Sequence, residues 1–170
     1  PNLGTPSALV LTSATGLPTA GLVDAAVTRV KMSTAAGSKS VQAVTATQGT
    51  TGAVYIDVFV PETGTLTSID FNGVEALATS DTAYISWTVV NRGQAGAGTT
   101  AMLAATDANT TKVLGTAHAA NTKRALTLHG TAANLDVVIG DTIRITTTAT
   151  GTLANTVTIP RYILRFGGTN

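Results

Sequence analysis

From Ala53 onward, apolar and polar side chains alternate with a period of two, the spacing of strands that cover one face and leave the other in water. In the run VYIDVFV, Val54, Ile56, Val58 and Val60 share one face, and Tyr55, Asp57 and Phe59 share the other. Residues 61 to 64 (PETG) end that strand. A second runs from Leu66 to Phe71 and stops at the turn pair Asn72-Gly73. A third spans Ala83 to Val90, with Ile85, Trp87 and Val89 on one face, before Asn91-Arg92-Gly93 turns the chain. Arg124 to Leu128 reads as a fourth strand, and Leu135 to Ile139 and Thr142 to Thr148 as two more on either side of a turn at Gly140-Asp141. Val157 to Phe166 closes the series, with Tyr162, Leu164 and Phe166 on one face. Pro160 has no N–H, which predicts that this last strand lies at a sheet edge or bulges there.

The first 36 residues show no such alternation. Within them, Gly21 to Val30 sets Leu22, Ala26 and Val30 beside Val23 and Val27 on one stripe, the pattern of a short helix that needs a partner surface because ten residues are marginal alone. Residues 37–52 are poor in bulky side chains apart from Val41 and Val44 and read as a linker or an edge strand. Gly93 to Thr100 is a loop by composition, and Met102 to Asp107 is read as one helical turn.

At least six short strands, with the one Trp, three Tyr and three Phe all inside them, predict an all-β fold: a jelly-roll-like β-sandwich carrying an extended N-terminal arm. The divisions are an arm over 1–36, the linker or edge strand over 37–52, and the sandwich over 53–170. Val54, Leu66, Ile85, Trp87, Leu126, Ile143 and Leu164 are the expected inner face.

Composition narrows the partners. Only 11% of residues are charged, against about 25% in an average soluble protein, and Thr, Ala, Gly and Ser take their place. A net charge of +1, spread along the chain, gives no footprint for the nucleic-acid backbone, so no nucleic-acid partner is expected. The uncharged stretch before Asp24 is broken by Pro6, Pro18 and several glycines, too short for a membrane span, and it lacks the basic start of a signal peptide. Neither a membrane partner nor a secretory leader is expected. With no cysteine, neither a disulfide nor a thiolate metal site can form. A mean hydropathy of +0.28 is high for a monomer of this size and points to apolar surface covered between subunits.

Candidate chemistry is sparse. His118 and His129 stand eleven positions apart without further ligands, so they read as solvated or subunit-contact side chains and no metal or other cofactor is expected. Asp57, Glu62, Asp70, Glu75 and Asp81 supply carboxylates for a glycosidase, but no pair is singled out. No nucleophile elbow and no phosphate-binding loop occurs. An enzyme is therefore not expected, and no catalytic residue is assigned. Asn109-Thr110-Thr111 matches a glycosylation sequon and is read as chance, while Lys123-Arg124, with Lys112 nearby, is read as a solvated, edge-guarding cluster.

One stretch resembles a known group. Residues 4–18, GTPSALVLTSATGLP, are similar to a segment that recurs in tail-fibre and other virion-surface proteins of tailed bacteriophages, with Ser13 where that segment often has Asn. The resemblance implies a homotrimer whose N-terminal segment fixes it to the particle, through the major capsid protein or another virion structural protein, and whose C-terminal β-domain points outward from the virion surface. Such shafts repeat the segment, whereas here it occurs once, which fits a capsid decoration protein or short head fibre better than a long tail fibre. Leu9, Leu11, Leu17, Val23 and Val27 are the expected attachment and trimer contacts. The alternative is the receptor-binding tip of a tail fibre, with Arg92, Gln94, Asn109 and Lys112 on exposed loops touching host surface glycan; an extracellular adhesin and an enzyme rank below it.

Overall fold

A computed structural model describes residues 38–168, and within them nine strands form two antiparallel sheets packed face to face. The strands are β1 (Ser38–Val44), β2 (Gly52–Phe59), β3 (Gly64–Asn72), β4 (Tyr84–Asn91), β5 (Thr100–Ala101), β6 (Lys123–Leu126), β7 (Asp136–Val137), β8 (Thr142–Thr150) and β9 (Arg161–Gly168). One sheet has the order β1-β9-β3-β6, with β7 also paired to β3; the other has the order β2-β8-β4-β5. The pairs β1 with β9, β2 with β8, β3 with β6 and β4 with β5 are nested, the outermost strands of the sequence pairing first. The chain is all-β in a sandwich, as its alternation predicts.

The core lies between the sheets. From the first come Leu66, Ile69, Phe71, Tyr162, Leu164 and Phe166, each fully buried, and from the second Ile85, Trp87, Val89, Ile143 and Ile145. Of the expected inner face only Val54 is not fully buried, because it sits on β2 at the edge of its sheet. Phe71 is the hub, with its ring 4.9 Å from Trp87, 4.9 Å from His118 and 5.4 Å from Tyr162. Thr147 is the one inward hydroxyl of β8, and it bonds the Tyr162 hydroxyl across the interior. Burial pushes the Tyr162 phenol up to about 12, so this sheet-to-sheet bond persists through the range in which exposed tyrosines ionise.

Three boundaries differ from the sequence reading. Of the two readings of 37–52 the edge strand holds: Ser38–Val44 pairs along its length with β9, so the sandwich extends N-terminal of residue 53. The last strand starts at Arg161, directly after Pro160, and lies between β1 and β3 in the interior of its sheet rather than at an edge. The proline is tolerated because it precedes the ladder, and its carbonyl accepts from the Thr45 N–H at 3.0 Å. The helical turn read over 102–107 is a 3-10 turn at Asp107–Asn109. The arm, its short helix at 21–30 and its expected contacts Leu9, Leu11, Leu17, Val23 and Val27 lie outside the described residues.

The two flanks of the sandwich are unlike. On one, the segment after β5 is stitched to both sheets: Met102 N–H bonds Val89 O at 2.8 Å, Ala104 N–H bonds Thr127 O at 3.0 Å, and Thr111 N–H bonds Ile85 O at 2.8 Å. On the other, β1 and β2 are the free edges of their sheets.

Candidate functional site

The sandwich offers three surfaces where a partner could act: its two ends and the outer face of the β2-β8-β4 sheet. At one end Ser38 pairs with Gly167, and Gly64 pairs with Gly168. The first and last described residues are therefore neighbours. Phe59 is 70% exposed beside this end, and the adjoining turn exposes Val138 and Ile139. The opposite end carries the turns after β3 and before β9 together with the 112–118 loop, whose Leu114 is 83% exposed.

The four predicted loop contacts do not form one site. Arg92 and Gln94 lie at the arm end. Arg92 Nε donates to Gly96 O at 2.8 Å and shapes its own loop, and Gln94 Nε2 reaches Ile139 O at 2.9 Å. Lys112 follows Thr111, which bonds Ile85 near the beginning of β4, so most of that strand, about 23 Å, separates it from Arg92. Its ammonium lies 3.5 Å from Asp107 and 5.0 Å from the centre of the Tyr84 ring.

Asn109 must be withdrawn as a ligand contact. It is 2% exposed, its amide donates to Ala104 O and Thr127 O, and its Oδ1 accepts from the Thr127 N–H at 2.7 Å. It is a staple that substitutes for a missing strand partner, and its burial leaves no room for a glycan on the sequon.

Two further readings are corrected. Arg124 is buried, not solvated: Nη2 donates to Ala108 O at 2.8 Å and Thr110 O at 2.7 Å, Nη1 to Thr116 O, and the guanidinium sits 4.6 Å over the Trp87 ring. Burial lowers its pKa from the ordinary arginine value. Lys123, its neighbour, is exposed and stands 3.5 Å from Asp70. His118 is also buried, its ring packed against Phe71 at a tilt of 59°, with Nε2 3.2 Å from both the N–H and the carbonyl of Gly73.

Burial holds the His118 pKa below the usual histidine value, so the ring is neutral in the folded chain. Protons then bind the unfolded state preferentially once pH falls below about 6.5. Stability contributed by the neutral ring is complete above that pH and is lost as pH drops toward the folded value. Urea midpoints are expected to decline between pH 7 and 5, and His118→Gln should flatten that decline; an equal slope in the variant would contradict the assignment.

The carboxylates are committed to separate pairs. Asp57 forms a two-point contact with Arg144, at 2.8 Å to Nε and 2.6 Å to Nη2, and this hydrogen bonding holds its carboxyl below the usual range. Asp70 is buried on the other sheet and bonds Arg165. Glu75 accepts from the Thr158 N–H at 2.8 Å and from its hydroxyl, which lowers its pKa. Asp57 and Asp70 lie on different sheets, so these two do not face each other across a cleft. Among the described residues, no three His, Cys, Asp or Glu side chains gather in a metal-binding group.

A cavity of about 620 Å³ opens beside β4, lined by Trp87, Val89, Leu103, Ala104 and Thr110. It occupies the stretch between the Met102 and Thr111 bonds where β4 has no strand neighbour. Among its polar side chains, Asn109 is engaged as above and Thr110 bonds Asp107 O at 2.8 Å.

The outer face of the β2-β8-β4 sheet is the most regular surface. Thr142, Thr146, Thr148 and Thr150 of β8 run beside Ser86 and Thr88 of β4, and β2 adds Tyr55, Asp57 and Phe59. Arg144 crosses to β2, its guanidinium 4.3 Å from the Tyr55 ring centre. The face is hydroxyl-rich and its central charges cancel. Comparison of the chain with protein-family models, with curated proteins and with solved structures finds no match.

Proposed function

We propose that the chain is a non-enzymatic structural protein of a bacteriophage virion: a homotrimeric capsid decoration protein or short head fibre, anchored through residues 1–36 and displaying the sandwich outward. The observation that carries this reading is the placement of Ser38 beside Gly167. The arm joins the sandwich at one end, so an anchored arm leaves the other end and its loops facing away from the particle. The virion-like segment at 4–18 supplies the anchoring role, and the nested strand order supports a jelly-roll reading of the domain. A neutral threonine face also avoids repulsion when many copies crowd one surface. The partners are further copies of the chain and the major capsid protein or another virion structural protein.

Antibodies raised against residues 38–168 are expected to decorate the outside of virions whose genome encodes the chain. Deleting residues 1–36 should abolish that attachment while leaving the sandwich folded.

A specific observation favours a second reading, the host-binding tip of a tail fibre. Lys112 over Tyr84 places an aromatic ring beneath the loop farthest from the arm, next to exposed Val113 and Leu114. Glycan binding that Tyr84→Ala abolishes would favour the tip over the decoration protein.

A further inference from the structure

We propose that the open flank formed by β2, with Tyr55 and Phe59 on its outer face, is the surface through which the sandwich meets a second copy of this chain. The inference rests on the homotrimer reading above and assigns the contact within the described domain.

A strand edge left open in water displays alternate N–H and C=O groups that can pair with another chain, and soluble monomers guard such edges with lysine, proline, bulges or covering segments. Three of the four edges here are guarded. β5 is two residues long and is continued by the stitched segment 102–111; β6 carries Lys123 and lies against that segment through the Leu103 to Leu128 bridge; β1 carries Lys39, which reaches Glu62 at 3.6 Å. β2 differs. It is eight residues long, GAVYIDVF, regularly paired to β8 on one side and, among the described residues, without a strand on the other. It contains no lysine and no proline, and its single charge, Asp57, is neutralised by Arg144.

The side chains agree with the backbone. Tyr55 is 61% exposed and Phe59 is 70% exposed, the two most exposed aromatic rings on the described surface, and both project from this strand. Neither contributes to the core of its own domain, so their apolar area remains to be covered. Aromatic residues at this exposure are typical anchors of protein contacts.

The area suffices. Eight residues at about 3.3 Å each make a strip about 26 Å long, and the three-strand outer face plus the roughly 10 Å flank between the sheets give on the order of 600 Å² before side-chain relief is counted. Two such surfaces together cover about 1,200 Å², the lower end of the range for specific protein contacts. The 37 residues that precede Ser38 join the sandwich at β1, the edge strand that shares this flank with β2. In a trimer each contact is heterologous, and β2 of one protomer meets a different surface of the next.

The test uses the full chain and a Tyr55→Lys/Phe59→Lys double variant, with mass measured by light scattering over a dilution series and folding checked by the near-ultraviolet signal of Trp87. The wild-type chain is expected to self-associate. The folded variant should dissociate at a concentration about 30-fold higher or more, since the loss of even one of its two aromatic anchors has that effect. If the lysines prevent folding, Tyr55→Thr/Phe59→Thr keeps strand-forming residues and should show the same shift. An unchanged mass profile in the folded variants overturns the assignment and leaves the virion reading standing. A wild-type chain that stays a monomer at micromolar concentration overturns both this contact and the trimer, while particle labelling still tests virion location separately. Variants that keep their mass and lose binding to immobilised glycan would identify the face as a sugar platform and likewise overturn the proposal.

Discussion

Replacing Phe71 with Ala is expected to lower the unfolding free energy by about 3 to 5 kcal/mol, measured by urea denaturation of the variant against the parent chain. The ring is fully buried on β3 and touches the aromatic systems of Trp87, His118 and Tyr162, so its removal leaves a cavity bounded by three rigid rings. Rigid walls cannot collapse into the space, which places the change at the upper part of the range for aromatic truncations. The loss should spread beyond β3, because Trp87 belongs to the opposite sheet. A drop under about 1 kcal/mol would mean that the two sheets do not meet at Phe71.

The second large effect is at Arg124. Arg124→Met keeps an aliphatic side chain of similar length and removes the guanidinium, leaving the carbonyls of Ala108, Thr110 and Thr116 without their shared donor. Charge-assisted bonds of this kind are worth about 1.5 to 3 kcal/mol each, they do not add fully, and the stacking on Trp87 is lost as well. A net destabilisation of about 3 kcal/mol is expected. Amide exchange in residues 108–116 should accelerate more than exchange in β8. Arg124→Lys should recover only part of the loss, since one ammonium on a flexible stem cannot match a planar fork aimed at three carbonyls. Equal acceleration throughout the sandwich would show that Arg124 acts on the whole fold and not on this loop.

Residues that follow the two-residue period were legible from the sequence. Ile85, Trp87 and Ile143 face inward because their neighbours along each strand carry polar groups, and Gly140 turns the chain with φ at 85°, a conformation glycine adopts without strain. β1 was left between two readings because its inward positions, Val41 and Ala43, are too few to mark a covered face; β9 supplies the pairing that decides it. Arg124 could have been read correctly, since it shares the parity of Leu126 and Leu128 on its strand, but its charge outweighed its position.

His118 and Asn109 could not be read in that way. Both stand in segments without periodicity, and their burial is fixed by what lies across from them: Phe71 and Gly73 for the histidine, Thr127 for the asparagine. Such loop residues replace missing ladder bonds, and only tertiary structure reveals which bonds are missing. The loop contacts failed as a group for the same reason. Arg92 and Lys112 are close in sequence to flexible, polar text, yet β4 runs between them and sets them at opposite ends.

We propose above that this sandwich stands on the outside of a virion, held by its arm. The most direct measurement is electron microscopy of purified particles labelled with gold-conjugated antibody against residues 38–168. Label is expected at regular positions on the particle exterior, on the head for a decoration protein or short head fibre, and is expected to be lost from particles assembled with a chain lacking residues 1–36. Unlabelled particles, from cells in which the chain is abundant and folded, would contradict it.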